Sequence, residues 1–109
     1  MTAKPVVARA LASQDIDAAI DHYLQENVAD AALGFIDALE QAYRHIAQHA
    51  ATGSPRHGHA LGISGLRTWP LTRYPFLVFY VESAGHVDVW RVLHTRRDIP
   101  AQMQDLRED

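Results

Sequence analysis

The hydrophobic period of this chain changes once, and that change limits the folds open to it. Up to residue 50 apolar side chains recur at helical spacing; from Gly65 onward they recur in strand-like runs. Ile16, Ala19, Ile20, Tyr23 and Leu24 fall at i, i+3, i+4, i+7 and i+8, with Asp17, Asp21 and Gln25 on the opposite side. This predicts an amphipathic helix capped by Ser13, with Asp15 and Asp17 at the positive end of its dipole. A second helix is predicted over about 29–50, where Ala32, Phe35, Ile36, Leu39, Ala42, Tyr43 and Ile46 make one face. Asn27 and Asp30 resemble a capping pair for it. Gly34 lies inside it at a cost of about 1 kcal/mol relative to Ala, which the close approach of another helix would explain. Thr52-Gly53-Ser54-Pro55 is its stop, with Gly53 read as a left-handed cap. The short link between the two helices predicts an antiparallel hairpin.

Pro5 to Leu11 reads as a short first strand, with Val7, Arg9 and Leu11 on one face. Residues 56–64 read as a loop rich in glycine and histidine. Leu66 to Leu71 is a short strand in which Pro70 forces an edge position, a bulge or an early end. Phe76 to Val81 is continuously apolar, as befits a central strand covered on both faces. Glu82 to His86 is a hairpin turn leading into a partner strand, Val87 to His94. Asp98 to Glu108 is a polar tail with room for a short helix. The order β-α-α-β-β-β predicts an α+β fold, an antiparallel helical hairpin packed on one face of a small, mostly antiparallel sheet. The 109 residues are expected to form one domain, 1–109, with the polar tail at about 98–109. The second sheet face is expected to be exposed, apolar and rimmed by arginine, a surface for another macromolecule.

The 109 residues include no cysteine, which excludes disulfides, thiol catalysis and cysteine zinc sites. No apolar run approaches the ~20 residues of a membrane helix, and Met1 to Pro5 has no signal-peptide character, so a cytoplasmic location away from membranes is expected. The net charge of −3 argues against a partner held by bulk phosphate attraction, and so against direct sequence-specific nucleic-acid binding. The charge is uneven. Residues 1–54 carry three bases against seven acids, whereas residues 56–97 carry six arginines against only Glu82 and Asp88. Arginine suits planar, bidentate contacts with carboxylate or phosphate.

Cofactor and metal motifs are weak. His57-Gly58-His59 has no nearby carboxylate, and His45 with His49 lacks the glutamate of a zinc-protease helix. Ser13, Ser54, Ser64 and Ser83 do not sit in a nucleophile elbow. No phosphate loop or dinucleotide fingerprint occurs. No cofactor and no metal are expected. The strongest chemical cluster is Arg91, His94, Arg96, Arg97 and Asp98, with Arg67 on a neighbouring strand. A histidine among arginines has the chemistry for acid–base work on a phosphodiester. The same residues also fit a structural reading, in which Arg97 pairs with Asp98 and His94 caps the sheet edge.

The stretch Asp15-Ile16 with Ala19 and Tyr23, then Phe35 with Leu39-Glu40, resembles the helical half of the ParE toxins of the RelE/ParE superfamily. Gly65-Leu66-Arg67, Tyr74-Pro75-Phe76 with Val78-Phe79-Tyr80, and Arg91-Val92-Leu93-His94 followed by Arg96-Arg97-Asp98-Ile99-Pro100 resemble its signature in order and spacing. The likeness spans about residues 5–101. It implies the β-α-α-β-β-β fold and a toxin of a type II toxin–antitoxin pair, neutralised by a ParD-like antitoxin in a toxin–antitoxin hetero-oligomer. ParE relatives act on DNA gyrase and are not enzymes; RelE relatives cleave messenger RNA in the ribosomal A site. A ribosome-docking nuclease should be basic and lysine-rich, whereas this chain is acidic with Lys4 as its only lysine and has no tyrosine after Tyr80. The balance favours a gyrase-directed inhibitor. The alternatives are a ribonuclease using His94, Arg67, Arg91 and Arg96, or a non-toxic member that only binds an antitoxin. Arg96, Arg97 and Arg107 are the target-binding candidates. Leu11, Ile20, Tyr23, Leu24, Arg67, Arg73 and Arg91 are the antitoxin-binding candidates.

Overall fold

The computed structural model describes residues 3–97 and 99–103. Strand β1 is Val6–Ala8, followed by helices α1 (Ala10–Gln25) and α2 (Ala29–Gln48). A 3₁₀ turn over Ala50–Thr52 and a short helix α3 (Arg56–Leu61) precede strands β2 (Leu66–Pro70), β3 (Phe76–Glu82) and β4 (Val87–His94). Helix α4 (Ile99–Met103) ends the described chain. The four strands lie in the order β1-β4-β3-β2. β2, β3 and β4 are antiparallel, and β1 joins β4 in parallel. The α+β architecture expected from the sequence is therefore present, with the apolar β3 in the interior of the sheet.

The first strand is shorter than its residues suggested. The Arg9 N–H makes a last ladder bond to the Val89 carbonyl, and the chain turns into α1 at Ala10. Leu11 is thus helical, and Ser13 does not cap α1. The run Ala10-Leu11-Ala12 has the helix propensity to carry the helix back to the strand. Asn27 does not cap α2 either. It adopts φ 61°, and the bonds Asn27 N–H to Leu24 O and Val28 N–H to Tyr23 O close α1 in a Schellman turn. Gly53 has φ −65° and is no left-handed cap. The glycine is needed because the Tyr80 ring reaches past it to place its hydroxyl on the Ala50 carbonyl, 2.6 Å away.

Phe35, Ile46, Val78, Tyr80, Val87 and Val89 are fully buried between the helical hairpin and the sheet. The other face of the sheet is not the open apolar surface the sequence suggested. Leu66, Phe79 and Leu93 are buried there with Met103 of α4, and Leu61, Ile63 and Ile99 pack beside them. The segment read as a loop supplies much of this cover. α3 forms despite Gly58 and its histidines because Gly62, at φ 70°, ends it in a second Schellman turn and brings Ile63 back onto the sheet. Tertiary burial of Leu61 and Ile63 outweighs the poor helix propensity of these six residues.

β4 carries a bulge. Phe79 pairs with Arg91 and Tyr80 with Val89, so Trp90 has no partner across the ladder. Arg9 covers the bulge, its guanidinium 4.3 Å from the Trp90 ring centre and bonded to Asp88. The extra residue puts Val89 and Val92, rather than Val89 and Arg91, on the helix-facing core.

Gly34 answers to a tyrosine, not to a neighbouring helix. The Tyr74 hydroxyl donates to the Ala31 carbonyl at 2.9 Å, and its ring crosses α2 where a Cβ of residue 34 would stand. Tyr74 is held there by edge-on contacts with Tyr23 and Phe35. Helix propensity alone makes Gly34→Ala stabilising by about 1 kcal/mol. The collision reverses that sign, and a net loss of about 1–3 kcal/mol is expected in urea unfolding. In a Tyr74→Leu background the same substitution should stabilise relative to that parent.

Candidate functional site

The end of β4 builds the site. Asp15, in the second turn of α1, faces β4 where β1 has already ended. Its carboxylate accepts from Arg91 Nε at 2.7 Å, from Arg91 Nη2 at 2.8 Å and from the Val92 backbone N–H at 3.0 Å. Arg91 Nη1 also donates to the Gln102 carbonyl of α4 at 2.8 Å. One buried arginine, 5% exposed, thus ties α1, β4 and α4 together. Beyond it the chain leaves the sheet. The Thr95 N–H bonds the Pro75 carbonyl, the Arg97 N–H bonds the His94 carbonyl, and the Arg96 N–H donates to His94 Nδ1 at 3.1 Å.

These contacts frame a cleft of about 350 Å³ between α1 and the end of β4. Its apolar lining includes Ala18, Ala19, Phe76 and Val92, and its polar lining includes His22, His94, Arg96 and Arg97. Arg96 and Arg97 are exposed and pair with no acid among the described residues. Asp15 borders the cleft, but its charge is met by Arg91. The polar lining is therefore net cationic. Partial burial, then the charges of Arg96, Arg97 and His22, hold the His94 imidazole below its ordinary pKa. With Nδ1 accepting from Arg96 N–H, the neutral ring carries its proton on Nε2.

His22 was not among the residues singled out from sequence. Its signal was there: Asp15, Ala18, Ala19 and His22 recur at i, i+3, i+4 and i+7, a stripe of small and polar residues beside the apolar one. Arg107 and Asp98 lie outside the described residues.

The other expected site residues do not converge here. Arg67 pairs across the sheet with Tyr80, and Tyr80 with Val89. Two strand spacings and several residues separate it from His94, on the order of 15–20 Å. Its Nη1 donates to the Gly53 carbonyl at 2.7 Å, and it borders a separate hollow with His59, Ser64 and Gly65. Arg91 is enclosed in the fold, so its guanidinium is not presented to a partner or a substrate. Leu11 packs under the sheet near α4, while Ile20 and Tyr23 pack against the main core. Leu24 is 52% exposed and Arg73 is exposed at φ 71°. His45 stacks on Trp69 at 3.8 Å and bonds Thr52, with His49 beside it. Among the described residues no group of three or more His, Asp or Glu is placed to hold a metal. No described helix is long and apolar enough to cross a membrane.

Removing one partner of a buried ion pair strands the other charge. Arg91→Ala and Asp15→Ala should each cost about 3–5 kcal/mol in chemical unfolding, whereas Asp15→Leu with Arg91→Met should recover most of that loss. His94, and His57 through burial and then Arg56, both have lowered pKa values. The unfolded chain therefore takes up protons that the fold resists. Stability should be full above the ordinary histidine value, about pH 6.5, and should fall as pH drops below it. Urea midpoints measured across that range should vary less with pH in His94→Gln than in the parent.

No curated protein matches this sequence. One solved structure, described as the chromosomal ParDE TA system from P. aeruginosa, contains a chain that superposes with a TM-score of 0.71. It shares 22% identity and the match covers 85% of this chain and 97% of that one, a likeness of fold. Residues 6–99 match the family described as ParE toxin of type II toxin-antitoxin system, parDE. That span takes in both helices of the hairpin, the whole sheet, the Asp15–Arg91 pair and the arginine-lined cleft, and the chain belongs to the ParE toxin family of type II toxin–antitoxin systems.

Proposed function

We propose that this chain is a toxin that acts by binding DNA gyrase and is neutralised by a ParD-like antitoxin. The observation that carries the choice between binder and nuclease is the dispersal of the basic residues. Of His94, Arg67, Arg91 and Arg96, only His94 and Arg96 meet at one cleft. Arg91 is bound to Asp15 and Arg67 to Gly53. A general acid and base must both reach the reacting phosphodiester, and a separation of 15–20 Å between Arg67 and His94, on the order given by sheet geometry, does not favour that. Arg96 and Arg97, exposed and with no acidic partner among the described residues, instead suit recognition of an acidic surface on a large partner.

The antitoxin reading rests on the turn between α1 and α2, which follows closely on His22 of the cleft. Leu24, Val28 and Leu33 are 52%, 43% and 62% exposed around the turn between α1 and α2. Large apolar side chains left in water at one place favour cover by an apolar segment of a partner. The pair would act in the cytoplasm as a hetero-oligomer, where both gyrase and a co-expressed antitoxin are at hand.

Titrating the purified chain into a supercoiling reaction with relaxed plasmid should inhibit gyrase and release linear DNA. Arg96→Ala with Arg97→Ala should weaken inhibition by about tenfold or more while leaving the urea midpoint in place. Leu24→Arg should reduce rescue by the antitoxin without reducing inhibition. Absence of inhibition at large molar excess, together with cleaved messenger at the ribosomal A site, would replace this reading by the ribonuclease.

A further inference from the structure

We infer that the cleft between α1 and the end of β4 is a site for a phosphate monoester of an aromatic nucleoside, a mononucleotide-sized ligand. The inference goes beyond gyrase binding and does not rest on it. Three features of the cleft converge on that chemistry.

The first is charge. Arg96 and Arg97 approach from the turn after β4, and His22 approaches from α1. No acid among the described residues answers the two guanidinium groups, and Asp15, the one carboxylate among the described residues that line the cleft, is saturated by Arg91 and the Val92 N–H. Two arginines lining one cleft, with no acid paired to either among the described residues, favour a dianion there. The second is hydrogen bonding. The Arg96 N–H holds His94 by Nδ1, so the neutral ring has Nε2–H as a donor, and it lines the same cleft. A donor of this kind suits a phosphate oxygen at neutral pH, where a monoester is dianionic. The third is shape. Phe76, Val92, Ala18 and Ala19 give the cleft an apolar lining beside its cationic one. The volume of about 350 Å³ is at the small end of ligand sites. It admits one nucleoside-sized ring and excludes a duplex. A bare anion would leave the apolar lining unused, and a bare nucleoside would leave the arginines unpaired.

The phosphate monoester has two possible sources, a free mononucleotide and the 5′-phosphorylated end of a strand. Calorimetric titration of the full chain at about pH 7.5 and low salt, with adenosine monophosphate, adenosine, inorganic phosphate and a tetranucleotide with and without its 5′-phosphate, separates them. Adenosine monophosphate should bind saturably, with adenosine and inorganic phosphate each about tenfold weaker or worse. Arg96→Gln with Arg97→Gln should abolish binding, and His94→Gln should weaken it several-fold. Binding should also shift the His94 and Phe76 ring resonances in the parent. If the phosphorylated tetranucleotide binds more tightly than the monophosphate, the ligand is a strand end; if the monophosphate binds at least as well, it is the free nucleotide. Equal affinity for adenosine and its monophosphate, equal affinity for inorganic phosphate, retention of binding in the double arginine variant, or no saturable binding of either phosphorylated ligand would each overturn the assignment.

Discussion

The contact between Asp15 and Arg91 organises the rest of this molecule. β1 has only three residues, so the parallel edge of β4 is covered as far as Val89 and then left open. Asp15 closes it with a side chain, accepting the Val92 N–H that no strand reaches. The same carboxylate takes two N–H groups of Arg91, whose third branch holds the Gln102 carbonyl. Desolvating both charges costs much of what their attraction returns, so the pair adds little against an apolar replacement. Its effect is geometric. A bidentate fork fits one relative placement of helix and strand, and α1 is fixed at one height and one rotation against β4. That placement sets the distance from His22 to His94 and so the width of the cleft.

The bulge at Trp90 is the second half of the same device. Without it, the alternation through β4 would carry Arg91 to the face of Val89, into the core with Phe35 and Ile46. With it, Val92 takes that place and Arg91 stays where Asp15 and α4 can reach it. Arg9 then covers the unpaired Trp90 from above and is neutralised by Asp88. Two arginines, one on each side of the bulge, are thus spent on holding a local irregularity. The sheet is covered on both faces as a result. Arg91 holds the α4 backbone at Gln102, next to Met103, which packs with Leu93.

Much of this was legible in the residues. The periodic stripes of α1 and α2 and the apolar run of β3 are strong signals because each repeats over several turns or residues. The boundaries were harder. Leu11 looked like a strand residue because Val6 and Val7 precede it, but β1 ends at Ala8 and the helix-forming run Ala10-Leu11-Ala12 enters α1, leaving the edge of β4 open beyond Val89. Residues 56–64 looked like a loop because glycine and histidine punish an isolated helix, and only the sheet's second face supplies the burial that rescues α3. Gly34 and Gly53 were visible as exceptions without visible causes. Tyr74 and Tyr80, which cause them, are 40 and 27 positions away, a separation that no local pattern bridges. The candidate site divides in the same way. His94, Arg96 and Arg97 are adjacent in sequence and in space, whereas Arg67 and Arg91 share their charge with them but not their surroundings.

The functional surface follows by subtraction. Between residues 56 and 97 the chain has six arginines. Arg67 is taken by a backbone carbonyl and Arg91 by Asp15, in positions where each is needed for the fold. Arg56, Arg73, Arg96 and Arg97 are exposed and have no acidic partner among the described residues. Arg56 begins α3, and Arg73 lies in the turn between β2 and β3. Arg96 and Arg97 alone of the four share a cleft with two histidines and an apolar lining. Adjacent guanidinium groups with no acidic partner among the described residues favour an arriving acidic group. The molecule carries that positive charge where β4 ends and the cleft opens beside α1.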